Sequence, residues 1–132
     1  MWRPPNSVLA VVAAGGAAGA TARYGLGVLF PDPVGTGFPW TTFAVNVSGC
    51  LAIGMLARLL TGVRMNHPLI RPGLGSGFLG GYTTLSTYAD QARALMLCGR
   101  WSIAAAYVLG TLVAAMLSVW AGQRLVDWWR TR

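Results

Sequence analysis

Acidic side chains are almost missing from this 132-residue chain: Asp32, Asp90 and Asp127 are the whole set, and there is no glutamate. A small proton-coupled exporter of organic cations needs a carboxylate inside the membrane. The first apolar block holds none, and Asp90 sits near the end of another. Lysine is missing too, so all ten basic residues are arginines and the net charge is +7. The two cysteines, Cys50 and Cys98, match no metal spacing and read as small packing residues. No nucleophile and base set or metal cluster stands in the sequence, which argues against an enzyme. Long polar stretches are also lacking. The longest connection, 31–39, has about nine residues, too few for a catalytic domain outside the membrane.

What is present is apolar and arranged in blocks. Hydrophobic residues make up 55% of the chain, against roughly 45 to 50% in soluble proteins. Blocks 7–30, 40–62, 69–98 and 101–126 each reach the length of about 20 residues that a helix needs to cross a bilayer. A signal peptide is the competing account of the first block, but the run is too long for an apolar leader core and carries Arg23 deep within it. The expectation is a single domain of four transmembrane helices.

Most arginines mark the water boundaries. With four crossings, Arg3, Arg58, Arg64, Arg71, Arg124, Arg130 and Arg132 fall on one side, and Arg23, Arg93 and Arg100 toward the other. Positive charge stays inside, so both termini are expected in the cytoplasm. In a soluble protein such a charge would suggest nucleic acid; here snorkelling and lipid phosphate contact account for it. Trp2, Trp40, Trp101, Trp120, Trp128 and Trp129 fit the aromatic belts at the two interfaces.

Polar and small residues inside the blocks carry the functional signal. Gly15 and Gly19, with Gly16 and Ala20 beside them, make a small-residue face for close helix contact, either a dimer seam or a seam within the bundle. Arg23 continues that face one turn on, and either points inward to an anion or carbonyls or snorkels to the surface. Asn46, one turn from Thr42, either bonds a neighbouring helix or lines a pathway. The third block is expected to break near Gly80, within Gly80-Gly81-Tyr82-Thr83-Thr84-Leu85-Ser86-Thr87-Tyr88. Hydrocarbon offers no water to freed backbone groups, so a break there must be buried in protein or line a polar path. Freed carbonyls suit a small cation and hydroxyls a small anion; a plain kink repaired by Thr83 and Thr84 is the competing account. Leu85 and Tyr88 share a face of the restarted helix, and Asp90 is placed to pair with Arg93. In the fourth block, Tyr107, Thr111 and Ser118 form a thin polar stripe.

Arg23 after a glycine-rich first helix, Asn46 with Gly49, the Gly80-Gly81-x-Thr83-Thr84-x-Ser86-Thr87 run and Tyr107 together resemble the small fluoride channels of the CrcB or Fluc family, over essentially the whole chain. The resemblance implies an all-α membrane protein: four transmembrane helices with a broken third, in an antiparallel dimer with two narrow pores carrying fluoride passively out across the cell membrane. It implies a structural sodium ion, not transported, on the main-chain carbonyls of Gly80 and Thr83 and their partner equivalents. It assigns the fluoride path to Asn46, Leu85, Ser86, Thr87, Tyr88, Tyr107 and Thr111, and the vestibule to Arg23.

Three departures from the family pattern, at five positions, stand out. Leu85 and Tyr88 stand where it has phenylalanines, Gln91 stands where it has a glutamate, and Ala115 and Val119 stand where hydroxyls would continue the polar track. Together with the seven-to-three arginine bias, which favours one orientation, they imply pairing with a related chain of reversed bias. The alternatives are a degenerate or purely structural subunit of such a heterodimer and, with less support, the exporter.

Overall fold

In the computed structural model, which describes residues 5–62 and 68–132, the chain is all-helical with no strand among those residues. Trp2, Arg3 and Arg64, invoked above for the aromatic belt and the charge bias, lie outside them. Helix α1 spans Asn6–Leu29 and α2 spans Trp40–Gly62. The third arm starts as a wide π-helical turn, Arg71–Leu79, continues in the short α3, Gly80–Tyr82, breaks, and restarts as α4, Ser86–Leu97. Helix α5, Trp101–Arg130, completes a set of four helical arms. On their own, Trp40–Thr61 and Trp101–Arg130 are long and apolar enough to cross a membrane.

Local chemistry sets the ends. Pro31 disfavours helix at the residue before it, and Phe30 is non-helical at φ −131°, ψ 75°. Between α4 and α5, Gly99 takes φ 72°, while Arg100 N–H donates to the Leu95 carbonyl at 2.8 Å and Gly99 N–H to Met96 at 3.0 Å. That pair of bonds closes the end of α4 and turns the chain straight back into α5. Helix α5 runs four residues past the expected end at 126 because its tail is held on α2: Asp127 pairs with Arg58, and Arg130 donates to the Leu59 carbonyl at 3.1 Å.

The arms pack as two glycine-lined pairs. On α1, a Cβ at Gly15 or Gly19 would run into backbone atoms of the third arm, Gly73 and Phe78 respectively. Val11 and Val12 are accommodated because Gly73 and Gly77 lie opposite them. The small-residue face of α1 is therefore a seam within the chain. The other pair meets at Gly54 and Gly122, where a Cβ on either would collide with the backbone of the facing helix. Between helices in lipid such contact replaces the hydrophobic effect as the adhesive. A third contact, α4 on α5, encloses Ala92, Leu95, Ala104 and Tyr107, with Phe38 of the α1–α2 connection laid edge-on against the Tyr107 ring at 5.3 Å.

The break is not where the glycines suggest. Leu79 and Gly80 are both right-handed helical, and positive φ occurs among the described glycines only at Gly35 and Gly99. Helical conformation ends at Thr83, which is extended at φ −76°, ψ 158°. Gly81 serves close approach instead, since a Cβ there would strike the Gly16 carbonyl of α1. The wide turn before it was not expected at all. It is built on Gly73, Gly75 and Gly77, and Gly80 N–H still reaches back five residues to the Gly75 carbonyl.

Candidate functional site

Three residues outside the helical segments, 83–85, form the break, and side chains from elsewhere hold it. Asn46 of α2 accepts the Thr84 N–H at 2.9 Å and donates to the Thr84 carbonyl at 3.0 Å, spending both ends of its amide on one residue of the break. Arg23 of α1 faces inward, its Nε donating to the Gly81 carbonyl at 3.2 Å. Thr83 Oγ1 bonds back to the Leu79 carbonyl at 3.0 Å. Ser48 and the Tyr82 hydroxyl are 3.1 Å apart. Because the Thr84 N–H goes to Asn46, it does not close the helix ladder onto Gly80. Among the described residues no backbone N–H is bonded to the carbonyls of Gly80 or Thr83. Such oxygens, with Gly80 exposed, are chemically suited to a hard cation.

Two cavities flank the break. The first, about 370 Å³, is lined by Arg23, Asp32, Thr41, Thr42, Thr84, Thr87 and Gln91, together with apolar residues of α1 and α2. The second, about 270 Å³, is lined by Asn46, Thr83, Thr84, Leu85, Tyr88 and Thr111, with Cys50 and aliphatic side chains around them. Thr84 borders both. Its hydroxyl donates to Thr87 Oγ1 at 3.0 Å and accepts the Thr87 N–H at 3.2 Å. Thr111 is 6% exposed, and its buried hydroxyl has no hydrogen-bond partner. Buried hydroxyls are ordinarily paired, so this one is an exception at the wall of the second cavity.

The residues expected along one path are divided by this geometry. Asn46, Leu85, Tyr88 and Thr111 line the second cavity, while Arg23 and Thr87 line the first. Ser86 lines neither; it is exposed, 3.4 Å from the Thr84 hydroxyl. Tyr107 is fully buried and borders neither cavity, its hydroxyl donating to Gln91 Oε1 at 2.9 Å. The Tyr88 hydroxyl is likewise engaged, donating to the Val108 carbonyl at 2.9 Å. Leu85 is 78% exposed. Asp90 and Arg93 pair at 3.0 Å as their spacing suggests.

Asp32, which the sequence marks only as one of three acidic residues, organises the first cavity. One carboxylate oxygen accepts the Thr41 N–H at 2.8 Å; the other accepts the Thr42 N–H at 3.0 Å, the Thr42 hydroxyl at 2.9 Å and the Gln91 amide at 3.1 Å. It thus caps the first turn of α2 and, through Gln91, ties it to Tyr107. Burial pushes the carboxyl up, but the four hydrogen bonds outweigh it and hold Asp32 below the usual carboxylate range. A depressed folded value stabilises the fold above the ordinary carboxylate pKa of about 3.9, and that contribution is lost as the pH falls through the folded value. Thermal unfolding should show Asp32→Asn less stable than the parent at pH 7 by about 1 kcal/mol, with a flatter acid limb. Equal acid limbs would remove Asp32 from the cap. The sequence hint for this group was slight: Gln91 follows Thr87 by one turn and Tyr88 by three residues, but seven residues separate Asp32 from the helix it caps.

A small all-helical chain with apolar helices, whose third arm opens between two cavities that hold a few polar side chains in mostly apolar walls, is consistent with a membrane transport architecture. The comparisons identify which: a family model described as "CrcB-like protein, Camphor Resistance (CrcB)" matches residues 10–123, and the chain belongs to the CrcB family. It is 47% identical over 131 residues to "Fluoride-specific ion channel FluC 1" of Streptomyces coelicolor, covering 96% of this chain and 84% of the relative. "Fluoride-specific ion channel FluC 2" of Streptomyces avermitilis is 49% identical over 84% of this chain and 70% of its own length. "Fluoride-specific ion channel FluC" of Chlorobium phaeobacteroides is 37% identical over 93% of this chain and 95% of its own length.

Proposed function

We propose that this chain is a subunit of a fluoride-specific channel of the cell membrane that lets fluoride leave the cytoplasm passively. The observation that carries the reading is the Thr111 hydroxyl, buried without a partner behind the wall of the cavity that Asn46, Tyr88 and Thr111 line. Fluoride is small and strongly hydrated, so it leaves water only where donors replace its shell. The inward Arg23 guanidinium offsets the Asp32 carboxylate in the first cavity, whose charge is already spread over four hydrogen bonds, and gives an anion a cationic partner there. Thr84, on the border of both, has a hydroxyl that can turn from Thr87 toward a passing ion. Thr111 then supplies a donor that no protein group claims.

The open carbonyls of Gly80 and Thr83 support a structural sodium ion there, shared with the same residues of an oppositely oriented partner chain. A resident sodium would supply fixed positive charge beside the anion route. The exposed Leu85 and the internally engaged hydroxyls of Tyr88 and Tyr107 favour a second reading, in which this chain mainly completes the pore of a related partner.

Fluoride efflux from liposomes holding this chain, alone and with a candidate partner chain, tests the proposal. Efflux should need no proton gradient and should fall when sodium is removed. Thr111→Val should slow it about tenfold or more, the worth of one hydrogen bond to a charged group, with thermal stability unchanged because no protein partner is lost. Unaltered efflux in Thr111→Val would remove the second cavity from the route. Efflux only with the partner would establish the second reading.

A further inference from the structure

At the end of the molecule where α5 stops, a groove of about 250 Å³ opens between α2 and α5, lined by Met55, Leu59, Leu125, Val126, Trp129 and Arg130. It shares no residue with either cavity at the break. Its walls are apolar except at Arg130, which stands at the end of α5. Arg130 spends one N–H on the Leu59 carbonyl, and its other donors are unclaimed among the described residues. Arg58, Arg124 and Arg132 lie on the same end turns of α2 and α5, and Asp127 is the single carboxylate there. Asp127 is taken by Arg58, while Arg124 and Arg132 lie over the rings of Trp120 and Trp128, at 5.3 Å and 4.2 Å from the centroids.

We propose that this groove binds an anionic phospholipid, with an acyl chain between Leu59 and Leu125 and the phosphate on Arg130. Three features choose this occupant. The groove is too apolar for a soluble anion. The excess of arginine at its rim suits a negative headgroup and disfavours an organic cation. The exposed Trp128 and Trp129, 50% and 77% accessible, belong to the interfacial belt where phosphates lie. A second copy in the opposite orientation would bring its other end, where Asp32 is held by Thr41, Thr42 and Gln91 and Asp90 is paired with Arg93, so it offers Arg130 no unclaimed carboxylate.

The test is native mass spectrometry of the intact protein released from vesicles of equal parts phosphatidylglycerol and phosphatidylcholine. The parent should retain the anionic lipid about fivefold over the zwitterionic one, the worth of one arginine near a lipid phosphate. Arg130→Gln should abolish most of that preference, and Leu125→Trp, which fills the groove and keeps the arginine, should reduce retention of both lipids. Equal retention of the two lipids by the parent, or an unchanged preference in Arg130→Gln, would overturn the site. So would displacement of the lipid by glycerol phosphate alone, which would make it a plain anion subsite. If Leu125→Trp instead altered the number of chains in the complex and left lipid retention intact, a second copy would be the occupant and the lipid proposal would fail.

Discussion

Asn46→Ala is expected to abolish fluoride efflux and to destabilise the fold by about 2 to 4 kcal/mol, the largest effect of any single polar substitution in this chain. The Asn46 amide is the partner of both backbone groups of Thr84, at 2.9 and 3.0 Å. An alanine leaves a donor and an acceptor unpaired at membrane depth, each at a cost of about 1 to 3 kcal/mol. The segment has two ways out: it can close into a continuous helix, which takes Thr84 from the border of the two cavities, or it can admit water, which spoils selectivity. Asn46→Asp separates holding from conducting. A carboxylate still accepts the Thr84 N–H, so part of the stability returns, but its charge repels an anion at the second cavity and efflux should stay lost. Thermal unfolding in detergent with efflux measured on folded protein reads both quantities. Parental efflux in folded Asn46→Ala would remove the clamp from the mechanism.

The second large effect is expected at Gly19. A Cβ there would overlap the Phe78 carbonyl and come within 2.8 Å of the Tyr82 nitrogen, both of them backbone atoms that cannot swing aside. Overpacking in a tight interface costs about 1 to 3 kcal/mol, and Gly19→Val adds branches to the clash. Helix α1 must then back away from the third arm, carrying Arg23, one turn along, off the Gly81 carbonyl. The folded yield should drop severely, and what folds should have lost efflux through the first cavity. Gly25→Ala is the control, because nothing lies within 4 Å of a Cβ at that position. If Gly19→Val matched Gly25→Ala in yield and unfolding temperature, the seam would not be what joins α1 to the third arm.

Both predictions rest on features the sequence made visible only in part. The spacing of Gly15 and Gly19 announced close helix contact, but a small residue has no side chain to specify its neighbour. A seam to a second copy and a seam to the third arm therefore read identically. Asn46 offered two readings for a similar reason: an amide in an apolar helix must find a partner, and the partner, Thr84, lies 38 residues along the chain. Arg23 was balanced between facing inward and reaching the surface until the Gly81 carbonyl settled it. At Gly80-Gly81 the glycine signal misled, because glycine serves both unusual backbone angles and close approach: Gly80 stays helical, and Gly81 is there for close approach to α1. The interruption fell three residues later, where Asn46 competes for the Thr84 N–H.

The sequence by itself determined the apolar helical arms, the arginines near their ends, the polar segment inside the third arm and the resemblance to a family. These are sums of transfer free energies and spacings along neighbouring residues, which need no knowledge of what lies across the bundle. Only the tertiary structure decided that Asp32 caps α2 and reaches Tyr107 through Gln91, that Tyr107 faces the interior and neither cavity, and that Thr111 is left without a partner. Hydrogen bonds are short and directional, so which groups meet depends on how distant segments pack within a few ångströms of one another. Local patterns along the chain carry no information at that scale.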